Sequence, residues 1–258
     1  MKTERLFFSM VVMTVFLQGC TTEYNLATRK QETLLYGMEK EVKIGDAVAP
    51  KIEAQYDILT DVDVNERVGR ILDRIVAVCD RKELVYFIKV IDDDPINAVS
   101  LPGGYVYVFR GLIEKVDNDD ELAGVIAHEV GHITARHGVK RMQNAYAALI
   151  LQVASTQTNA RVAGGVNFAL NSLFLEHSKQ DEFEADRLGV KYLKKAGYNP
   201  KAMVAFLEKL KIEKEKAPRN RYSYWRTHPY LSQRISVVNQ EITGKLEFRD
   251  YLNLTGND

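Results

Sequence analysis

The segment Ala127-His128-Glu129-Val130-Gly131-His132 constrains this 258-residue chain more than any other. Two imidazoles four residues apart share one face of an α-helix, so both reach a single ion only if this stretch is helical. Glu129 sits one position on from His128 and can approach a water held by that ion. Zinc takes neutral nitrogen and anionic ligands in a tetrahedral array, and a catalytic site leaves the fourth position to water. Bound to zinc, water has a pKa of about 7, and a nearby carboxylate can take its proton during attack on a peptide carbonyl. A third ligand has to come from a second helix, as a carboxylate or a histidine.

His137 does not fit that need. A metzincin arrangement puts Gly at Ala135 and His at Gly138. His137 lies one residue early with no helix-breaking glycine before it, so on a continuing helix it points away from the metal. The second helix is found in Ser178-Lys179-Gln180-Asp181-Glu182-Phe183-Glu184-Ala185-Asp186. Glu182 and Asp186 are four apart on one face, while Asp181 and Glu184 point elsewhere. On these residues alone, Glu182 as a ligand and a solvated acidic face both stay open.

Elsewhere the chain reads as one α+β domain, predominantly helical, over residues 31–245, followed by a tail at 246–258. Gln31 to about Ala54 is predicted helical, with Leu34, Leu35, Met38 and Val42 on one face. Asp63-Val64-Asn65-Glu66 has the pattern of a capping box opening a helix to about Asp80. Leu84–Ile91, Ile96–Ser100 and Tyr105–Phe109 are predicted strands of a small sheet beside the helix of the two histidines, with Pro102-Gly103-Gly104 as a turn. Asp117 or Asn118 caps the helix that carries His128, which is predicted to run past His137. A further helix from about Gln180 stops at Gly197, and two more follow near Pro200–Lys214 and Pro229–Gln240. The Ala-rich stretch Ala145–Ser155 is too interrupted to span a bilayer and suits core packing. Cys79 ends an apolar helical stripe, as a buried and inert thiol does.

The first residues do not read as part of the fold. Lys2 and Arg5 precede an apolar run from Leu6 to Leu17, which leads into Gln18-Gly19-Cys20. This is a secretory signal over 1–19, too short for a spanning helix. Its end resembles the bacterial lipobox, although Gln18 is not the favoured residue there, and Cys20 would be acylated and become the new N-terminus. Residues 20–30 are polar and aperiodic, which suits a tether between lipid and domain. The partner expected on this side is therefore a membrane, through an N-terminal lipid anchor. Thr21 rather than Asp after the cysteine favours the periplasmic face of the outer membrane in a Gram-negative host. Lys+Arg and Asp+Glu balance at 35 each, so no nucleic-acid partner is expected.

Taken in order, His-Glu-x-x-His at His128–His132, Glu-x-x-Ala-Asp at Glu182–Asp186, and Thr227-His228-Pro229 with Arg234-Ile235 resemble the HtpX-like and CAAX-prenyl-endopeptidase family of gluzincins. A fourth piece, Ile96-Asn97-Ala98 leading to Pro102-Gly103-Gly104-Tyr105, is similar to that family's strand before the active-site helix. The resemblance covers roughly Tyr36 to Gln240. It implies a zincin-type metallopeptidase domain with one Zn2+ per chain, Glu182 as third ligand and Asp186 orienting a ligand histidine from behind. It implies that His228 lies over the metal, stabilising the oxyanion or occupying the open site in a resting form. It also implies that Asn97, Ala98 and their strand pair with an extended polypeptide substrate. The chain lacks the spanning segments of membrane-embedded members and resembles the short periplasmic lipoprotein type.

Three functions are compatible with this reading: an endopeptidase for misfolded or unassembled envelope proteins, a chaperone-like module with a structural ion, and a metallohydrolase of another substrate class. Glu129 separates the first two, because a structural zinc site needs no base. The strand at Asn97 disfavours the third, because an extended groove suits polypeptide.

Overall fold

The computed structural model describes residues 21–35, 37–145, 176–216, 223–245, 250 and 253–254. The signal segment, Cys20, most of the Ala-rich stretch and nearly all of the tail lie outside the described residues.

A three-stranded sheet and a set of helices close around one helix that is buried on every side. The sheet contains β3 (Phe87–Ile91), β4 (Ala98–Leu101) and β5 (Tyr105–Phe109) in the order β3-β5-β4, with β3 parallel and β4 antiparallel to the central strand. Strand alternation sorts the side chains. Val106, Val108 and Ala98 enter the main core, whereas Tyr107, Phe109, Val99 and Leu101 pack under Val48 and Ile52 of α1 (Met38–Gln55). In the main core α2 (Val62–Val76) contributes Val68, Ile71, Leu72 and Ile75, the apolar stripe visible in its sequence. Its cap is Asp61, whose side chain accepts from Val64 N, so the helix opens two residues before the predicted capping box.

A short α3 (Arg110–Ile113) leads to α4 (Asp119–Thr134), the helix of the two histidines. Asn118 caps it by accepting from Glu121 N, and three acidic residues occupy the positive end of its dipole. From Glu121 to Thr134 every residue is buried. Such a helix is apolar on all faces because it crosses the interior, so any polar side chain on it needs a reason to be there. α5 (Lys179–Ala196) packs along it, capped by Ser178 and stopped by Gly197 at φ 76°. The two backbones approach closely at Gly131 and Gly189. A Cβ on Gly131 would lie 2.8 Å from the Ala185 carbonyl oxygen, and one on Gly189 would lie 3.3 Å from His128 N. α6 (Lys201–Lys216), the single turn α7 (Tyr224–Thr227) and α8 (Leu231–Thr243) complete the bundle. The architecture is the expected one, predominantly helical with a small sheet beside the histidine helix.

Two expectations are corrected. Residues 21–34 form an antiparallel hairpin, β1 (Thr21–Asn25) and β2 (Lys30–Leu34), where the sequence suggests a tether and the start of a helix. And α4 does not run past His137: it ends at Thr134, Arg136 takes a φ of 58°, and residues 137–145 resume as a separate helical stretch. The two corrections have one cause. The last carbonyls of α4 are taken by side chains from outside it, with Arg81 donating to Ile133 O and Asn25 to Thr134 O from distant segments, and Lys140 to Ala135 O from the next helical stretch. Those acceptors would otherwise serve the next helical turn. Asn25 is buried in the hairpin and its Oδ1 also accepts from Ala27 N, so the turn that closes the hairpin and the end of α4 are fixed by one side chain.

Candidate active site

His128, Glu129 and His132 project from the buried middle of α4, Glu182 and Asp186 from the facing side of α5, His228 from the corner after α7, and Arg234 from α8. All seven side chains are buried, none more than 2% exposed. One ligand atom from each of His128, His132, Glu182 and His228 falls within 4.8 Å of the others. His128 Nε2 and His132 Nε2 are 3.0 Å apart, and the Glu182 oxygens lie 3.5 and 3.3 Å from them. Two ligands at about 2.05 Å from a tetrahedral zinc stand about 3.3 Å apart, so the spacing fits the ion.

The hydrogen bonds behind these atoms settle which ring nitrogens face inward. Asp186 Oδ1 lies 2.8 Å from His128 Nδ1, so that nitrogen donates and Nε2 keeps its lone pair for the centre. Arg234 Nη2 is 3.1 Å from the same Nδ1, but a donor gains nothing there and it donates instead to Asp186 Oδ1 at 2.8 Å. With Nε on Asp186 Oδ2 at 2.9 Å, the guanidinium grips the carboxylate by two bonds. Arg234 Nη1 also lies 2.9 Å from Glu182 Oε2, in poor hydrogen-bond geometry, and stands as a charge beside that carboxylate.

Several inward atoms find no hydrogen-bond partner among the described residues. Both oxygens of Glu129, both of Glu182 and Nε2 of His228 are buried without a hydrogen-bond partner among the described residues. Leaving such groups unsatisfied costs about 1–3 kcal/mol each, more if charged, and a cation at the centre would relieve it for the ligand set. The donor set therefore fits a zinc ion on the structure's own terms. Burial drives the electrostatics. It lowers His128 to about 4 and holds His132 and His228 well below the ordinary imidazole value, which keeps all three rings neutral. It raises Glu182 well above the carboxylate range and Glu129 to about 7. Asp186 is as buried, but Arg234 and the bond from His128 outweigh that and pull its pKa down.

His228 is held from three sides: its ring stacks on Tyr224 at 4.3 Å, its backbone N donates to Tyr224 O, and its Nδ1 lies 2.9 Å from Thr227 Oγ1. Its Nε2 points at Glu129 Oε1, 3.4 Å away. Ser100 of β4 flanks the same carboxylate. Asn97 is buried, and its side chain is used within the protein, accepting from Ala98 N and from Thr227 Oγ1. It thus ties the start of β4 to the corner that carries His228, and β4 remains the outer strand of its sheet. His137 lies behind His132 rather than at the centre, with the two Nδ1 atoms 2.8 Å apart. Asp181 and Glu184, on the other face of α5, reach His137. Cys79 is a buried free thiol whose pKa burial raises.

His177 escapes every sequence pattern. Its ring centroid is 3.9 Å from that of His132 and 5.0 Å from that of His228, and its Nδ1 is buried without a hydrogen-bond partner among the described residues. It belongs to no spaced motif. The one available signal is a scarce residue immediately before the cap of the acidic helix, in a chain with five histidines.

The family model of peptidase family M48 matches residues 63–242. The beta-barrel assembly-enhancing protease of Escherichia coli (strain K12) is 28% identical over 210 residues, covering 77% of this chain and 43% of the relative. The mitochondrial metalloendopeptidase OMA1 of Schizosaccharomyces pombe is 32% identical over 177 residues, covering 67% of this chain and 51% of the relative. The chain thus spans about half the length of these curated relatives or less. The matched residues include α4, α5 and the corner of His228, so the resemblance read from four short motifs extends over the whole of the site. The chain belongs to peptidase family M48.

Proposed function

We propose that this chain is a zinc-dependent endopeptidase acting on misfolded or unassembled polypeptides of the bacterial envelope. The observation that carries the reading is an orphaned, fully buried carboxylate, Glu129, beside a convergent set of two neutral imidazoles and a second carboxylate. A purely structural ion has no use for that fourth group.

His128 Nε2, His132 Nε2 and a Glu182 oxygen would hold the ion, which when bound supplies Lewis-acid activation of a water molecule and of the substrate carbonyl. Glu129 takes the proton that water loses on attack and returns it to the leaving amine. A carboxyl near pH 7 in strength suits both transfers. His228 presents Nε2 toward the place of the carbonyl oxygen and, once that nitrogen carries a proton, would stabilise the oxygen as it gains charge, while Tyr224 and Thr227 keep the ring on target. Asp186, clamped by Arg234, keeps His128 in the tautomer the site needs. The outer edge of β4 would align an extended polypeptide beside Glu129 by strand addition, with Asn97 and Ala98 setting where that edge begins.

A relative named for enhancing beta-barrel assembly supports clients that assemble in an envelope. Cys20, after a short apolar run, supports a lipid tether at the periplasmic face of the outer membrane. No described helix is long and apolar enough to cross a membrane. Replacement of Cys20 by Ser is expected to abolish incorporation of labelled palmitate.

The deciding test is hydrolysis of an unfolded protein by the purified chain, with and without a chelator, beside Glu129→Gln. Cleavage that needs the metal and drops by about 10²–10⁴-fold in the variant is the expected result. Zinc at one per chain with no cleavage of any unfolded protein overturns the reading.

A further inference from the structure

We infer that His137 is a positioning residue for the metal centre, accepting the Nδ1–H of His132 and itself held by Glu184, so that the grip on the ion extends one histidine beyond the ligand set. This rests on the zinc reading above and adds to it a residue that no motif assigns.

The argument is one of proton placement. His137 Nε2 faces two carboxylates, Glu184 Oε2 at 3.2 Å and Asp181 Oδ1 at 3.5 Å, so the ring carries its proton there. A neutral imidazole protonated at Nε2 presents a lone pair at Nδ1. That lone pair lies 2.8 Å from His132 Nδ1, which therefore donates. The second nitrogen of His132, Nε2, is left with its lone pair aimed at His128 and Glu182. Each bond in the chain Glu184, His137, His132 thus selects the tautomer of the next ring, and the last one selects the form that can bind a metal. His137 and His132 are both buried, so water does not compete for these positions.

The arrangement exists only because α4 stops. On an unbroken helix, side chains five residues apart diverge, as they share no face. Here the turn at Ala135 and Arg136 folds residue 137 back, and the ring centroids come within 4.9 Å. The N-terminal hairpin helps to hold that turn: Asn25 bonds Thr134 O, and Glu23 pairs with Arg136 at 2.7 Å. Both hairpin residues lie before the matched residues 63–242, so this support is supplied from outside the family core.

The test is zinc affinity of the full chain by chelator competition, read beside the melting temperature of the metal-free protein. His137→Phe keeps ring bulk but cannot accept, and should lose zinc about 10–100-fold more readily, with the metal-free melt little changed. His137→Gln offers an amide oxygen to the same donor and should recover most of the loss. In zinc-loaded protein the His132 Nδ1–H resonance should be protected from exchange in the wild type and lost in the Phe variant. Wild-type affinity in His137→Phe overturns the inference. If that variant fails to fold without metal, Glu184→Ala decides: affinity within about twofold of wild type overturns it, and a larger loss supports it. A wild-type chain that binds no zinc would remove the underlying function, a separate and distinguishable failure.

Discussion

Glu129 brings an acid group into a place where burial outweighs the help that Ser100, Arg234 and Arg141 give its charge. It is fully buried, neither oxygen has a hydrogen-bond partner among the described residues, and burial raises it from 4.5 to about 7. The folded value lies above the unfolded one, so as pH rises the unfolded chain releases this proton first. Stability is therefore lost between about pH 4.5 and 7, and the full cost stands above 7. A shift of that size corresponds to about 3 kcal/mol. In chelator, urea titrations at about pH 8 should find Glu129→Gln more stable than wild type by up to that amount, with the gain gone near pH 4.5. Equal midpoints at the higher pH would mean that the carboxyl ionises there without penalty. His228 has a kinetic test instead. His228→Phe should retain zinc and lose roughly 100-fold in kcat with KM little changed. A faster variant would show that the ring caps the ion in a resting form. Among these residues, legibility follows locality. His128 and His132 declare themselves by a spacing of four, and Glu182 and Asp186 repeat that spacing. Arg234 could be matched to a motif, but its grip on Asp186 depends on how α8 crosses α5, which no local pattern encodes.

At the scale of elements, the site depends on how closely α4 and α5 approach. A Cβ at Gly131 would meet the Ala185 carbonyl oxygen at 2.8 Å and the Ala185 Cα at 3.1 Å, both backbone atoms that cannot swing aside. Gly131→Ala should therefore push α5 away from α4, at a cost of about 1–3 kcal/mol. Because α5 carries Glu182 and α4 carries both histidines, the same shift should weaken zinc binding, and a denaturation curve with a chelator titration reads the two effects separately. Unchanged stability would show that the helices can slide apart without strain. The helices themselves were legible: the Asn118 cap, the Gly197 stop and the apolar stripe of α2 are local signals that the fold honours. The hairpin at residues 21–34 was not. Its sequence is polar because it lies on the surface, and what orders it is a set of bonds to the end of α4 more than a hundred positions away. The end of α4 is not legible locally for a related reason, since Arg81 and Asn25 satisfy two of its last carbonyls from distant segments and Lys140 takes a third from five residues on.

At the scale of the whole molecule, all five histidines gather in one place: His128, His137, His177 and His228 each have a ring centroid within 5.4 Å of that of His132. Burial holds four of them neutral, and beside them stand two carboxylates whose oxygens have no hydrogen-bond partner among the described residues. A fold that concentrates lone pairs in its interior is weakest there when empty, because the groups that should hold an ion repel each other or lack hydrogen bonds. An ion held there would bind the native state alone, since the unfolded chain cannot assemble residues of α4 and α5, and its binding energy would become folding energy. With free zinc at about 1,000 times Kd, the added stability is about 4 kcal/mol. For a chain of this length, each kcal/mol moves the melting temperature by about 2–4 °C, so zinc should raise it by about 8–16 °C over the chelated protein. The increment should be nearly absent in Glu182→Ala, which removes one proposed ligand and one carboxylate without a hydrogen bond among the described residues, so that the variant's chelated melt is no lower than that of wild type. It should survive in Glu129→Gln, because Glu129 is assigned to the proton and not to the ion. A full thermal increment in Glu182→Ala would exclude Glu182 from the ligand set and leave His128, His132 and His228 as the alternative triad.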